Sequence, residues 1–349
     1  MVMDHSTHCP GLYCGRIKIN GTWGECGACP RGFRAAANSV CLPCKDIPTF
    51  YDLFYLGFMA LLLLVLEWYI IDQTMKRRNF TKDVLSLHIS ALVENVTSAF
   101  STLFFTEPRG SLEIQACKVK RLSDWYTMLH NPTPNYEKTL RCTQEAVYPL
   151  YSMIFIHYSL ALLLMLLLRP IVVKNISGGR GKKSIYFTMY LIPVLVVLQA
   201  TCGGLLYYSF PYIVIILTFI SVAAHLAFRL DQSMSSLFLT SIKDVRNLVI
   251  LVGHWLLHAY GIIAITQLTN PVLHGSLLAL VPFPTVFYIL TSKFTDPILE
   301  IPAYDPAINR SQKRPIDNPN TGEQDRVVEA LWSEERSSIQ AIMDLSSSQ

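Results

Sequence analysis

An apolar run at residues 54–71 constrains this chain most. It lies within the segment YDLFYLGFMALLLLVLEWYIIDQTMKRR at 51–78, and Glu67 is its only carboxylate. At about 1.5 Å per helical residue, the run is long enough to cross a hydrocarbon core of about 30 Å. Six cysteines precede it, and Lys76, Arg77, Arg78 and Lys82 follow it. Basic flanks remain in the cytosol and cysteine-dense modules belong to oxidising compartments, so both flanks predict a lumenal N-terminus.

The composition independently indicates an integral membrane protein. Hydrophobic residues make up 51% of the chain and charged residues only 15%, whereas a soluble domain carries about 25% charged residues. The net charge of +4 is modest. Because the basic residues cluster beside apolar runs, they predict membrane topology rather than a nucleic-acid surface. The expected surroundings are therefore a lipid bilayer, with no nucleic acid as a partner.

The apolar pattern predicts an all-α polytopic membrane protein with seven transmembrane helices, a lumenal N-terminus and a cytosolic C-terminus. After the first span, the others are predicted at 84–105, 147–168, 185–206, 212–228, 248–267 and 276–291, the last interrupted by Pro282 and Pro284. Spans four and five are joined by an uncharged turn at 207–211, and a single re-entrant hairpin is the alternative for this pair. The basic segment 169–183, which begins with Arg169, predicts a cytosolic loop. A cytosolic loop is also predicted at 229–247 and a lumenal loop at 269–275.

Three regions follow from this pattern. They are a lumenal cysteine-rich module at 1–50, a seven-helix bundle at 51–292 with a lumenal loop at 106–146, and a cytosolic tail at 293–349. The tail begins proline-rich, which predicts a partly disordered segment. Apolar residues spaced at helical intervals within 323–345 predict an amphipathic helix that could dock on a partner or on the membrane surface.

The N-terminal cysteines are candidates for disulfides. The segment contains Cys9, Cys14, Cys26, Cys29, Cys41 and Cys44, of which the last four form two C-x-x-C pairs. In a cytosolic protein these pairs could hold zinc. On the oxidising side of a membrane disulfides are favoured, so three disulfides are expected here and zinc is the alternative. The spacing does not determine which cysteines pair.

The lumenal loop carries a second candidate pair. Cys117 and Cys142 lie in the loop at 106–146 and are expected to bond to each other and close it. The N-terminal module also contains the sequon Asn20-Gly21-Thr22. The other usable sequons fall in predicted cytosolic segments or within a span, so topology leaves Asn20 as the glycosylation acceptor.

Span two has one polar face. Ser86, Ser90, Glu94, Thr97 and Ser101 recur at steps of three and four residues, which places them on one side of a helix. Glu94 falls near the middle of the membrane, where a carboxylate is costly and usually faces the bundle interior. Two interpretations remain open: Glu94 fastens helices together, or it acts in transport or catalysis.

Histidines offer the main enzymatic alternative. His254 and His258 lie four residues apart in span six, on one helical face and at a spacing that suits zinc. His225, with His88 and His157 in other spans, could complete an intramembrane zinc-dependent hydrolase. However, Trp255 stands where the H-E-x-x-H signature requires the glutamate base. The sequence therefore favours no catalytic residues, no metal and no cofactor.

Several stretches resemble one family, the Jun-kinase-associated membrane proteins of the endoplasmic reticulum. The matching stretches are GLYCG (11–15), GECGACPRG (24–32), YLGFMA (55–60), LSDWYTMLHNP (122–132), EAVYPLY (145–151), GGLLYY (203–208), FPYI (210–213), HWLLHAYGII (254–263) and FTDP (294–297). The resemblance implies a multi-span, non-enzymatic adaptor of the endoplasmic reticulum membrane. It implies three partners: the stress-activated Jun kinase, the proteasome and a membrane ubiquitin ligase, acting in the degradation of misfolded proteins.

The residues themselves say little about where a kinase would bind. The stretch KKSIYF at 182–187 loosely fits a docking motif, but it also marks an ordinary span boundary. Thr133 is the only serine or threonine that precedes a proline, and it is predicted to be lumenal. A binding interaction is therefore expected, rather than phosphorylation by a proline-directed kinase.

Overall fold

A computed structural model describes residues 8–75, 81–130, 141–179, 181–227 and 232–295. In these residues a small head of short strands precedes a mostly helical body. The helices are α1 Phe50–Met75, α2 Lys82–Phe105, α3 Leu150–Asn175, α4 Lys182–Ala227, α5 Met234–Lys243, α6 Val245–Thr266, α7 Pro271–Ala279 and α8 Phe283–Thr295. The predicted amphipathic helix at 323–345 lies outside the described residues.

The head consists of three small antiparallel pairs of strands. The strands are β1 Cys14–Gly15, β2 Lys18–Ile19, β3 Thr22–Trp23, β4 Gly27–Ala28, β5 Phe33–Ala35 and β6 Cys41–Pro43, and β1 pairs with β4, β2 with β3 and β5 with β6. The β2–β3 hairpin turns at Asn20 and Gly21, which have φ angles of 49° and 87°. An Asn-Gly pair favours this conformation in a two-residue hairpin. Strands this short bury little apolar surface, so the head depends on covalent cross-links.

Helices α1, α2, α3 and the first half of α4 pack side by side. Leu63 of α1, Tyr158 of α3 and Ile192 of α4 are buried in one apolar core. Leu87 of α2 is buried in a second, against Ile71 of α1. The head end of the bundle is the end at which α1 and α3 begin and α2 ends. At the opposite, far end, a Cβ atom on Gly181 would contact side chains of α1, α2 and α3. The helices therefore alternate in direction, as short connections between neighbouring helices require.

The turn predicted at 207–211 is wrong, because α4 runs without interruption for 46 residues with Pro193 and Pro211 inside it. Its length of about 69 Å is more than twice the hydrocarbon thickness. A proline within a membrane helix is tolerated where neighbours cover the backbone that it frees. Here Gly261 of α6 brings its backbone against Pro211, and a Cβ atom on Gly261 would lie 3.0 Å from the Pro211 carbonyl oxygen.

The second half of α4 packs with the later helices. Val222 and Leu226 of α4, Leu237 of α5 and Ile289 of α8 form a separate buried cluster. The loop predicted at 229–247 contains α5, and the loop predicted at 269–275 is helical from Pro271 onward. Both helices begin at caps that satisfy free backbone amides: the Ser233 side chain accepts from Ser236 N–H, and the Asn270 side chain accepts from the first amides of α7.

The last predicted span, 276–291, forms two helices, α7 and α8, separated at 280–282. Five stretches in the described part of the chain are long and apolar enough to cross a membrane: Phe50–Met75, Leu150–Asn175, Lys182–Ala227, Asn247–Thr266 and Pro271–Ser292. Helix α2 spans 24 residues and is more polar, with Glu94, Asn95 and Ser98 among its buried residues. The chain is therefore a largely helical membrane protein that carries a small disulfide-rich head.

Candidate functional site

All eight cysteines that the sequence marks as disulfide candidates are paired. The bonds are Cys9–Cys26, Cys14–Cys142, Cys29–Cys41 and Cys44–Cys117. Two expectations are therefore wrong: the first six cysteines do not form three bonds among themselves, and Cys117 does not pair with Cys142. The C-x-x-C pairs also do not form a zinc site, because each of their cysteines takes a different disulfide partner.

The two long-range bonds join the N-terminal segment to the loop between α2 and α3. They link cysteines 128 and 73 residues apart in the chain. A backbone hydrogen bond from Ala116 N–H to the Asp46 carbonyl (2.8 Å) adds to this connection. The sequence predicts separate regions at 1–50 and 106–146, but their described parts, 8–50 with 106–130 and 141–146, form one structure.

Asp124 is the polar centre of this junction. It is 1% exposed and accepts hydrogen bonds from the Tyr13 hydroxyl (2.9 Å) and from the Lys120 amide (2.9 Å). The Arg34 guanidinium forms an ion pair with it at 2.8 Å. Burial raises the pKa of Tyr13 to about 12, so its hydroxyl stays protonated and donates at neutral pH. A buried carboxylate with this many donors is satisfied rather than reactive.

The loop also seats the head on α4. Gly204 of α4 faces the loop so closely that a Cβ atom on it would lie 2.8 Å from Trp125 Cβ and 2.9 Å from Leu122 Cδ1. Beside it, the Tyr207 hydroxyl donates to Asp52 of α1 at 2.6 Å. Glycine is needed at position 204 because any side chain would push the loop away from the helix.

Within the helices, three charged side chains meet at the buried point shared by α1 to α4. We call Glu67, Glu94 and Arg169 the charge cluster. Arg169 is fully buried, and the two carboxylates are 2% and 1% exposed. The Arg169 guanidinium pairs with Glu67 at 3.0 Å and contacts Glu94 more closely. Arg169 Nη1 donates to the Thr188 hydroxyl of α4 at 3.0 Å, and the Ser90 hydroxyl donates to Glu94 at 2.6 Å.

The charge cluster shows that the predicted position of Arg169 is wrong, and it places Glu94. Arg169 does not lie in a cytosolic loop, because α3 continues past Pro170 to Asn175. Of the polar face predicted for span two, Ser90 and Glu94 are buried in the bundle, whereas Thr97 is exposed. Two carboxylates and one guanidinium sum to −1 when both acids are ionised and to zero when they share one proton. This arrangement fastens four helices through one buried network.

The histidines do not assemble a zinc site. His254 Nε2 bonds the Ser221 hydroxyl at 2.6 Å and its Nδ1 bonds the Ile250 carbonyl at 2.7 Å, so both ring nitrogens are occupied. His258 packs against the Phe219 ring at 4.9 Å. Among the described residues no three His, Cys, Asp or Glu side chains are placed to hold a metal ion. The hydrolase alternative, with His225 as a further ligand, therefore has no support.

The sequence matches known proteins along most of its length. A family model described as JNK1/MAPK8-associated membrane protein matches residues 9–297. The human protein of that name is 46% identical over 306 residues, covering 85% of this chain and 96% of the human one. The mouse protein matches to the same extent, and a Caenorhabditis elegans homolog is 29% identical over 306 residues. No solved structure matches. The match contains the head, the loop and every described helix, and the chain belongs to the JNK1/MAPK8-associated membrane protein family.

Proposed function

We propose that this chain is a non-catalytic adaptor of the endoplasmic reticulum membrane that recruits degradation machinery and binds a stress-activated Jun kinase. The observation that carries the proposal is the disulfide-bonded head, joined to the family match. The names of the human and mouse relatives describe association with the kinase. The proteasome and a membrane ubiquitin ligase are added by the family resemblance of the sequence motifs.

The head supports a lumenal position for the N-terminus. Four disulfides in a small domain are typical of an oxidising compartment, since cytosolic thiols are kept reduced. The far end carries exposed Lys174, Lys182 and Lys183 around the connection between α3 and α4. Because basic residues favour the cytosolic side, the two ends of the first four helices agree on one orientation.

This orientation assigns a role to each side of the membrane. The head and its loop present a rigid, cross-linked lumenal surface that can hold a lumenal ligand. The connection at 176–181 and the tail at 293–349 supply the cytosolic surface, where kinase and proteasome are available. The charge cluster is satisfied internally, so its side chains offer no free acid or base for a reaction.

Co-purification tests the adaptor function. Full-length tagged protein, extracted in a mild detergent and analysed by mass spectrometry, should carry proteasome subunits and a membrane ubiquitin ligase. A matched control replaces Lys182 and Lys183 by serine, which removes charge at the far end without touching the head. If neither class of partner is enriched over an unrelated membrane protein of similar abundance, the adaptor proposal is wrong.

The side of the membrane on which the tail lies can be tested separately. With a lumenal N-terminus, an odd number of crossings puts the tail in the cytosol and an even number puts it in the lumen. Because residues 182–227 form one helix rather than the two predicted spans, the count of seven spans does not decide the side of the tail. We propose the cytosolic tail, which an epitope at Gln349 should report by digestion when protease is added to intact microsomes. Protection of that epitope would remove the tail from the recruiting surface.

Glycosylation at Asn20 tests the side of the head. Asn20 is exposed at the tip of the β2–β3 hairpin, where a transferase could reach it. Treatment with an N-glycosidase should increase the mobility of the wild-type protein. The variants Asn20→Gln and Thr22→Ala should both remove that shift, because each destroys the sequon. An unshifted wild-type band would contradict a glycosylated lumenal head.

A further inference from the structure

The charge cluster lacks one positive charge. Glu67 and Glu94 contribute two negative charges when both are ionised, whereas Arg169 contributes one positive charge. The side chain of Arg169 is fully buried and those of the two acids are 3% and 1% exposed, so solvent does not neutralise the remaining charge. An isolated charge in a dry interior is unfavourable, and a titratable group placed there usually becomes neutral instead.

The described residues of the surrounding helices do not supply the missing charge. Among them, the charges that act on Glu67 are those of Arg169 from α3 and Glu94 from α2, and α4 presents the uncharged Thr188 hydroxyl. The charged or titratable side chains towards the far end of these helices are exposed or half-buried: Asp72, Lys82, Asp83, His88, Lys174 and the lysines at 182–183. The balancing charge must therefore come from a bound ligand.

Hydrogen bonds distinguish the two acids. Glu94 accepts from the Ser90 hydroxyl at 2.6 Å, from Arg169 Nε at 3.4 Å and from Arg169 Nη2. From the described side chains Glu67 accepts one hydrogen bond, from Arg169 Nη2 at 3.0 Å. Donors to a carboxylate favour its charged form. Glu94 is therefore the better carboxylate, and Glu67 is the better carrier of a proton.

We propose that the charge cluster is a binding site for one proton, which Glu67 carries while Glu94 and Arg169 form an internal ion pair. The cluster is then neutral, and the proton belongs to the network that fastens α1 to α4. A monovalent metal cation is the other possible source of the charge, but the guanidinium that contacts both acids would repel it. This proposal does not depend on the adaptor function.

Infrared spectroscopy of the full-length protein, purified in detergent at neutral pH, tests whether the proton is present. A protonated carboxyl group gives a C=O band that is separate from carboxylate bands and shifts in heavy water. The difference spectrum of wild type minus Glu67→Gln should contain this band. The matched control is Glu113→Gln, which changes an exposed acid of the loop and should give carboxylate bands alone. Carboxylate bands alone for Glu67→Gln would overturn the proposal.

A second variant tests charge balance as the cause. In Glu94→Gln the guanidinium of Arg169 has only Glu67 to balance, so Glu67 should release its proton and the band should disappear. A band of wild-type intensity in Glu94→Gln would show that charge balance does not hold the proton. Glutamine has the shape of a protonated glutamate, so Glu67→Gln should remain folded and monodisperse at neutral pH.

The pH dependence of stability gives an independent readout. An unfolded glutamate is ionised above about pH 5, so folding takes up the proton. For each pH unit over which the folded protein keeps it, the folding equilibrium of wild type should fall about tenfold relative to Glu67→Gln. Glu113→Gln should follow wild type. A constant ratio of wild type to Glu67→Gln between about pH 5.5 and pH 9, or a wild-type stability that depends on sodium instead of pH at fixed ionic strength, would overturn the proposal.

Discussion

Replacement of Arg169 by methionine should destabilise the helical body severely. Methionine has similar length and no charge, so the change leaves packing nearly intact and removes only the guanidinium. Glu67 and Glu94 would then face each other across a dry interior with no positive partner. Breaking a buried ion pair by removing one member typically costs about 3–5 kcal/mol.

That cost is large for a folded protein of ordinary stability. A loss of about 3–5 kcal/mol raises the unfolded fraction by roughly two to three and a half orders of magnitude. The loss of stability should lie towards the upper end of this range, because Thr188 and the second carboxylate also lose a hydrogen-bond partner. The two carboxylates can recover part of the lost stability by sharing a proton, which would move the loss towards the lower end of the range.

In the experiment, purified protein is denatured in detergent, and the fraction that remains monodisperse is measured. Lys174→Met is the matched control, because Lys174 lies on the same helix and is exposed, and surface changes usually stay within about 0.5 kcal/mol. The triple variant Glu67→Met, Glu94→Met, Arg169→Met should recover most of the stability, since well-packed apolar residues of similar volume often replace a buried ion cluster without loss. A single variant that unfolds no more readily than Lys174→Met would refute the charge cluster as a fastening of the helices.

Three further outcomes are expected. Gly204→Ala should destabilise the seat of the loop by about 1–2 kcal/mol, because the clash outweighs the gain in helix propensity, whereas Gly253→Ala, with nothing within 4 Å, should be neutral or stabilising in the same thermal melt. Burial raises the pKa of Glu145, against the lowering effect of the Ser152 hydrogen bonds and of Arg31. The folded state then binds this proton at a higher pH than the unfolded chain does, so wild-type stability relative to Glu145→Gln should rise as the pH falls from 7.5 towards 5; a constant difference between the two melts would contradict this. Non-reducing digestion and mass spectrometry should find linked peptides for Cys14–Cys142 and Cys44–Cys117, and a Cys117–Cys142 peptide would contradict the pairing.

Local sequence pattern predicts most of the helix positions well. The first, second and sixth predicted spans correspond closely to α1, α2 and α6, because a long, mainly apolar run in a membrane can satisfy its backbone only as a helix. The same principle explains the error at 207–211. A glycine pair, a run of tyrosines and Pro211 look like a turn in water, but a membrane helix continues through such residues when neighbours cover them.

Neither the charge cluster nor the disulfide pairing could be predicted from the local sequence. Arg169 precedes a proline and follows a leucine run, so it looks like the end of a span. Its burial becomes predictable only when Glu67 and Glu94 on other helices are weighed as its partners, since a buried guanidinium requires them. Cys117 and Cys142 share one loop and were expected to pair, yet the strands that bring Cys14 and Cys44 beside them form only in the folded head.

The first four helices are held at both ends by different physical means, and this distinction bears on what an adaptor needs. At the head end, two disulfides and the Asp52–Tyr207 hydrogen bond fix the loop and the helix starts together. Deeper in the bundle, the Arg169 network joins the same four helices. The second half of the protein is joined by apolar packing and by single contacts such as Trp255 to Thr285 at 3.0 Å. Cross-links and buried charges tolerate few substitutions, whereas apolar contacts tolerate many. We therefore expect that changes in α5 to α8 can alter partner binding without unfolding the head, and that changes at the disulfides or at the charge cluster of the first four helices cannot.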